Sequence, residues 1–504
     1  MASDATTPAQ AQPAPSEAVA QETSVLDQLA ERTVEEGKLG QNAEERKQGK
    51  QWINAFLNEI LRNQVVVSKD TDAMLAARIA QIDKLLSDQL NEVMHASEFQ
   101  KLEGSWRGLN YLVQQSETST MLKLKVMNLT KRELLNDLRN VAEFDQSQLF
   151  KKVYEEEFGT LGGLPFGALV GDFYFSRGPE DLEILEKMSN IAAAAHAPFI
   201  GAASPELFGW NDFTELAGPR DLAKIFDNNL YARWKSFRES EDSRYVGLAM
   251  PHILMRPPYG KDSITVEAFD FQENVDGTDH KKYLWGNAAY AFAARLTNSF
   301  ALHEWCAAIR GVEGGGLVEG LPTHTFMTDD GDVALKCPTE IAITDRREAE
   351  LSKLGFIPLC HQKNTDMAVF FGAQSCQKAK QYLSDDANAN ARLSTQLQYM
   401  FAVSRFAHFL KVMMRDKIGS FMSREDCQSF LNNWISHYVL LDDTANPDAK
   451  AKFPLREARI EVAEVAGKPG VYTAVAFLRP HFQLDELSVS LRLVAKLPEP
   501  KGAA

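Results

Sequence analysis

The sequence has 504 residues, a formal net charge of −15, and 44% hydrophobic and 24% charged residues. A chain of this length exceeds one ordinary core, so two or three domains are expected, and the composition is that of a soluble globular protein. The acidic balance argues against a general nucleic-acid or anionic-membrane binder, because both need a basic face to displace counterions.

Residues 1–23 are rich in Ala, Pro, Gln and Thr and carry too little apolar surface to fold alone. Ser24 then caps an expected short helix with Val25, Leu26 and Leu29 on one face. A charged stretch leads to a stronger amphipathic helix through Trp52, Ile53, Phe56, Leu57, Ile60 and Leu61. Such a stripe must dock, either on the body of this chain or on a partner. Helical spacing continues over residues 71–99, while residues 121–129 alternate: Leu122, Leu124 and Val126 on one side, Lys123 and Lys125 on the other. That pattern predicts a half-buried strand. Thr130 and Glu133 form a capping-box signature for the next helix.

From Ala168 the pattern becomes α/β: a strand over residues 168–175, a break at Gly178–Pro179, a helix through Ile191, and a strand over 199–202. This is a βαβ unit. Residues 245–250 read as a further strand, 287–309 as a long helix apolar on several sides, and Asp330–Gly331 as a tight hairpin turn. Residues 387–418 read as another long helix ended by Gly419, and Ser423 caps a helix whose apolar side carries Phe430, Leu431, Trp434, Ile435 and Tyr438. The last quarter predicts strands over 459–465, 471–478 and 487–497, a small sheet with two open edges that invite pairing with another chain.

Motifs for chemistry are weak. The loop Gly311-Val312-Glu313-Gly314-Gly315-Gly316 lacks the GK[ST] ending of a phosphate cradle and reads as a tight loop after a helix. His303 and Cys306, three apart on the expected long helix, could share a metal, but nothing nearby supplies the remaining ligands at the usual spacing. Cys360, His361 and His408 read as packing residues, and Asp329, Asp330 and Asp332 as a solvated turn rather than a calcium loop. The five cysteines form no CxxC pair and read as reduced thiols. With no leader-like start and no uncharged apolar run long enough to span a bilayer, a cytoplasmic location is expected.

Several segments together resemble a known family. They are Trp285-Gly286-Asn287-Ala288-Ala289-Tyr290-Ala291-Phe292, the run from Trp305 through Arg310 to Gly315, Arg405-Phe406-Ala407-His408, the stretches over residues 415–422 and 431–435, and residues 99–109. The sequence resembles the large sheath subunit of type VI secretion systems, the TssC/VipB family. The resemblance implies a mixed α/β (α+β) fold: phage-tail-sheath-like core domains, a C-terminal strand-exchange sheet and an additional helical outer domain. It implies a disordered tail over residues 1–23, a helical contribution to the outer domain over 24–115, α/β sheath domains over 116–380, and a C-terminal sheath core over 381–504.

It also implies a structural subunit without cofactor or catalytic site. Such a subunit polymerises with a small sheath subunit around an inner-tube protein, meets baseplate components, and is dismantled by an AAA+ unfoldase. Val25, Leu26 and Leu29 then correspond to the unfoldase-binding helix, and Glu425 and Asp426 to a tube-facing helix. Ile460, Val462, Val475, Phe477, Val489 and Leu491 fall on the inter-subunit strands. The alternative from another class is a soluble α/β enzyme using the His303/Cys306 region.

Overall fold

The computed structural model describes residues 43–62, 71–261, 263–267, 269–277, 279–328, 330–442, 444–467 and 471–483. The chain divides into two compact units between Leu85 and Leu86. In the first, helix α1 (Ala43–Arg62) begins with Glu44 and Glu45, acids placed where the helix dipole favours them. Trp52 is exposed; Phe56, Leu57, Ile60 and Leu61, expected to extend its stripe, lie outside the described side chains. Helix α2 (Thr71–Met94) exposes Leu75, Ile79 and Ile82.

The helical spacing read over residues 71–99 is in fact two helices. The chain turns at His95 and Ala96, and α3 (Ser97–Gln114) starts afresh. Residues 121–125 keep their alternation, with Leu122 and Leu124 half-buried and both lysines exposed, but Val126, expected on the same face as the leucines, is exposed, and the segment pairs with no strand among the described residues. The expected strand is an extended segment without a ladder. The Thr130–Glu133 capping box opens α4 (Lys131–Arg139) as its sequence predicts.

The second unit is organised on a six-stranded sheet in the order β1-β2-β3-β9-β10-β6. Strands β1 (Leu169–Phe175), β2 (Phe199–Ala203), β3 (Val246–Met250) and β9 (Ile357–His361) run parallel. Strands β10 (Ala368–Phe370) and β6 (Leu317–Val318) complete it antiparallel. Between β1 and β2 lies α5 (Pro179–Ala195), with Gly178 as cap and Pro179 in its first turn, where a missing N–H costs nothing.

Alternation along the strands sends side chains to two cores. Val246, Leu248 and Met250 join one, with Trp234 and Phe237 of α6 (Ala232–Glu239) and Phe356; Ala249 joins the other, with Ile200, Ile357 and Leu359. A sheet covered on both faces explains why its strands read as unbroken apolar runs.

The second core is covered by α7 (Ala288–His303), which Asn287 caps through its side chain. This helix is shorter than expected: Glu304 turns left-handed (φ 65) and ends it six residues early at His303. On its outer side Gly108 of α3 lets Tyr290 approach; a Cβ there would lie 2.3 Å from the ring. Strands β4 (Ile253–Leu254) and β5 (Trp285–Gly286) pair, and β7 (His324–Met327) and β8 (Val333–Lys336) form the expected hairpin, with Gly331 at φ +85 in its turn. Asp329 lies outside the described residues. Helix α8 (Asp345–Lys353) precedes β9.

The helix expected over 387–418 is also two. Helix α9 (Asp385–Leu393) stops, Thr395 and Gln396 bridge back toward Ser375 and Gln374, and α10 (Leu397–Asp416) continues. Tertiary pairing overrides local propensity there. Helix α11 (Arg424–Ser436) follows, opened by a Ser423–Asp426 capping box. The chain then enters an antiparallel ribbon of β11 (Leu455–Glu464) and β12 (Tyr472–Pro480).

Candidate functional site

The ribbon is fastened to the body by one face. Ile460 and Val462 are buried against Cys427, Leu431 and Ile435 of α11, and that cluster continues to Trp305 and Phe406, whose rings stack at 4.4 Å. Each fully buried aliphatic side chain here contributes about 1.5–3 kcal/mol.

The other face points away from α11. Arg459 stands opposite Phe477 and Glu461 opposite Val475. Phe477 and Val475 are about half exposed, at 48% and 50%. Arg459 covers the Phe477 ring at 5.0 Å and pairs with Glu461 at 3.1 Å. The four described residues assigned to inter-subunit strands thus divide by face: Ile460 and Val462 anchor, Val475 and Phe477 present. Val489 and Leu491 lie outside the described residues, as do Val25, Leu26 and Leu29.

The edges differ too, which corrects the expectation of two open ones. Asn432 on α11 donates through Nδ2 to the Ile460 carbonyl (2.7 Å) and accepts the Ile460 N–H through Oδ1 (2.9 Å). Gln428 accepts the Val462 N–H at 3.1 Å. These side chains occupy the outward main-chain groups of Ile460 and the Val462 N–H, so an added strand is blocked at that part of β11. Among the described residues the outer edge of β12 has no ladder partner. Sequence reading missed Asn432 and Gln428 because polar helix residues read as solvated; their i, i+4 spacing was the available signal.

Glu425 and Asp426 occupy the first turn of α11. Asp426 accepts from the Ser423 hydroxyl (2.8 Å) and backbone (3.2 Å), which holds its carboxyl below the usual range. Its carboxylate is committed to the cap. Glu425 is exposed and pairs with Arg424, whose hydrogen bond also lowers its carboxyl. The preceding loop carries two fully presented apolar side chains, Ile418 and Phe421.

Two buried polar centres brace the rest of this unit. Arg256 joins Glu273 (2.6 Å) and Glu103 (2.8 Å), tying α3 to the segment after β4. Burial would raise the Glu103 carboxyl, but Arg256 and Arg107 outweigh it and hold it lower. Glu340 accepts from the Phe213 N–H (3.0 Å) and faces His252 and His280. Burial opposes its ionisation, yet the two imidazoles bring it down to about 2.

The His303/Cys306 pair does not form. The helix ends at His303, and Cys306 lies beyond the turn with its thiol donating to the Leu296 carbonyl at 3.6 Å. Burial pushes that thiol up to about 12. Among the described residues no group of three or more His, Cys, Asp and Glu side chains is placed to hold a metal ion. No described helix is long and apolar enough to cross a membrane.

Comparison with known proteins places this architecture. Residues 76–377 match the family described as EvpB/VC_A0108, tail sheath N-terminal domain, and residues 386–497 match the EvpB/VC_A0108 tail sheath gpW/gp25-like domain. The type VI secretion system sheath protein TssC1 of Pseudomonas aeruginosa is 52% identical over 454 residues, covering 90% of this chain and 91% of the relative. Two solved structures overlap loosely. The anti-feeding prophage baseplate does so at TM-score 0.36 and 9% identity, over 77% of this chain and 86% of that one. The contracted anti-feeding prophage sheath does so at TM-score 0.28 and 10% identity, over 63% and 67%. On the two sequence matches, the chain belongs to the VipB (EvpB/VC_A0108) family of tail sheath proteins.

Proposed function

We propose that this chain is the large structural subunit of the contractile sheath of a type VI secretion system. It polymerises with a small sheath subunit around an inner tube in the cytoplasm and contracts to propel that tube, with no catalytic site of its own. The observation that carries this reading is the C-terminal ribbon: anchored on one face, plugged on β11 at Ile460 and Val462, and, among the described residues, without a ladder partner along the outer edge of β12. A strand supplied by a neighbouring subunit would satisfy the β12 main chain, the β-augmentation mode of recognition. Val475 and Phe477 would then pack against the incoming strand or the layer above it, and Val489 and Leu491 would lie on the strand this chain gives in return.

The domain division at residues 24–115, 116–380 and 381–504 belongs to the same proposal. So does the tube-facing role of α11, in which Glu425, with Ile418 and Phe421 beside it in sequence, would contact the tube while Asp426 keeps the helix start in place. Val25, Leu26 and Leu29 would form the helix an AAA+ unfoldase takes hold of after contraction, and baseplate components would start the polymer.

Two truncations test these assignments in cells that also make the small subunit. Removing residues 487–496 should abolish tubules, and tubules of normal yield would remove the strand-exchange assignment. Removing residues 1–35 should leave assembly intact and slow unfoldase-driven disassembly; disassembly at the normal rate would end the unfoldase assignment.

A further inference from the structure

The ribbon returns the chain to the body past the end of β12. Leu455 stands opposite Pro480, and one step further the His481 N–H donates to the Pro454 carbonyl at 3.1 Å. The chain is therefore still travelling in the direction of β12 at His481 and has not begun to turn back. Phe482 is exposed, with Arg479 over its ring at 5.7 Å, while Gln483 is half-buried.

Gln483 is seated at two points. Its main-chain N–H donates to the Tyr399 hydroxyl oxygen at 3.1 Å, and its side-chain Nε2 donates to the Ala307 carbonyl at 2.9 Å. Tyr399 lies in the first turn of α10 and is buried, so packing fixes its ring. Ala307 belongs to the loop that follows α7. The Ser299 hydroxyl holds that loop to α7 through the Trp305 carbonyl (2.8 Å), and the Trp305 ring holds it to α10 by stacking on Phe406. Both acceptors thus sit on one braced surface, which a single residue grips with main chain and side chain together.

Strand exchange gives this grip a purpose. Among the described residues the outer edge of β12 has no ladder partner, and the strand expected over residues 487–497 follows in the same chain. A short flexible connection between a strand and a vacant edge gives self-pairing an effective concentration on the order of millimolar, which competes with a neighbour's edge. Residues 481–486, if free, are long enough to serve as that hairpin loop. With Gln483 held on the body, only residues 484–486 remain for the turn, and they start where the chain has already left the ribbon. Leu487 then lies at most about 14 Å from Gln483, so the seat fixes where the strand begins.

We propose that Gln483, held by Tyr399 and the Ala307 carbonyl, is a positioning residue that directs the last strand to a neighbouring subunit rather than to the chain's own β12 edge. This rests on the strand-exchange reading above. Releasing the seat removes neither strand nor edge; it lets each satisfy the other and closes the subunit on itself.

The test uses the full-length protein made together with its small subunit. Gln483→Ala removes the side-chain bond, and Tyr399→Phe removes the acceptor of the main-chain bond while keeping the ring. Tubules are counted by negative-stain electron microscopy, and the unassembled fraction is followed by thermal melting and by hydrogen exchange with mass spectrometry. The double variant should give at least about tenfold fewer tubules than the wild type at an unchanged melting temperature. Its unassembled fraction should exchange more slowly than the wild type over residues 472–480 and 487–496 alike, a mark of self-pairing that a merely structural role would not produce. Normal tubule yield in a folded variant, or exchange over residues 472–480 as fast as in the wild type, would overturn the proposal. If variants carrying Gln483→Ala do not fold, Tyr399→Phe alone decides by the same readouts. Removal of residues 487–496 separates this proposal from the reading beneath it. Tubules lost in that truncation but normal in the variants would overturn the seat alone, and tubules normal in the truncation would end both.

Discussion

His408 shows how one side chain fixes a joint. It is 2% exposed on α10 and its Nε2 donates to the Ala195 carbonyl at 2.8 Å, satisfying a carbonyl in the last turn of α5. Its neighbours oppose protonation: Arg405 and Lys411 are cationic, and His196 stands 6.1 Å away ring to ring. Lys411 is itself held over the Tyr154 and Phe158 rings of a wide-turn helix, Lys151–Gly159. Burial, with those charges added, depresses the imidazole from 6.5 to about 4 despite the Ala195 bond. The unfolded chain therefore takes up protons first as pH falls. The contribution is complete above about pH 6.5 and is lost toward about pH 4, on the order of 3 kcal/mol at most. Melting temperature followed over that window should fall steeply in the wild type and less steeply in His408→Gln. Parallel curves would contradict the account. The reading of His408 as a packing residue with a satisfied ring nitrogen holds for Nε2; Nδ1 has no hydrogen-bond partner among the described residues.

At the scale of elements, α3 is joined to the segment after β4 through charge. Glu273 is 1% exposed at its side chain and Glu103 13%, and Arg256 at 4% serves both. Removing the shared cation strands two buried carboxylates, which typically costs about 3–5 kcal/mol. Arg256→Met should lower the melting temperature accordingly, and adding Glu273→Leu should recover part of the loss. An unchanged melting temperature for Arg256→Met would show that Arg107 and His95 already neutralise the pair. None of this was legible in the sequence, since Glu103 lies far along the chain from Arg256 and Glu273 and no local pattern joins them. What was legible had a local cause: the Thr130 and Ser423 caps, the β1–α5–β2 unit, the Asp330–Gly331 turn and the β11–β12 ribbon. The long helices were overextended where a left-handed residue at Glu304 or a bridge at Gln396 interrupts an apolar pattern that continues past it. Alternation over residues 121–129 gave an extended segment without its ladder, because pairing is a property of two segments and alternation of one.

Across the whole molecule, the described surface carries the marks of a chain built to be covered. Leu75, Ile79 and Ile82 on α2, Leu102 and Trp106 on α3, and Ile418 and Phe421 before α11 are large apolar side chains left at least 42% exposed. Together with the outer edge of β12, unpaired among the described residues, they fit a polymer subunit better than a monomer. Family membership was legible from motifs; the division of the ribbon into an anchored face, a presented face and a plugged edge was not, because it depends on where α11 crosses β11. The central claim is assembly with a second chain. Negative-stain electron microscopy of this protein expressed with and without its cognate small subunit tests it most directly. The account predicts hollow tubules in the co-expressed sample alone. Monodisperse globular particles in both samples, with the small subunit unbound, would contradict it.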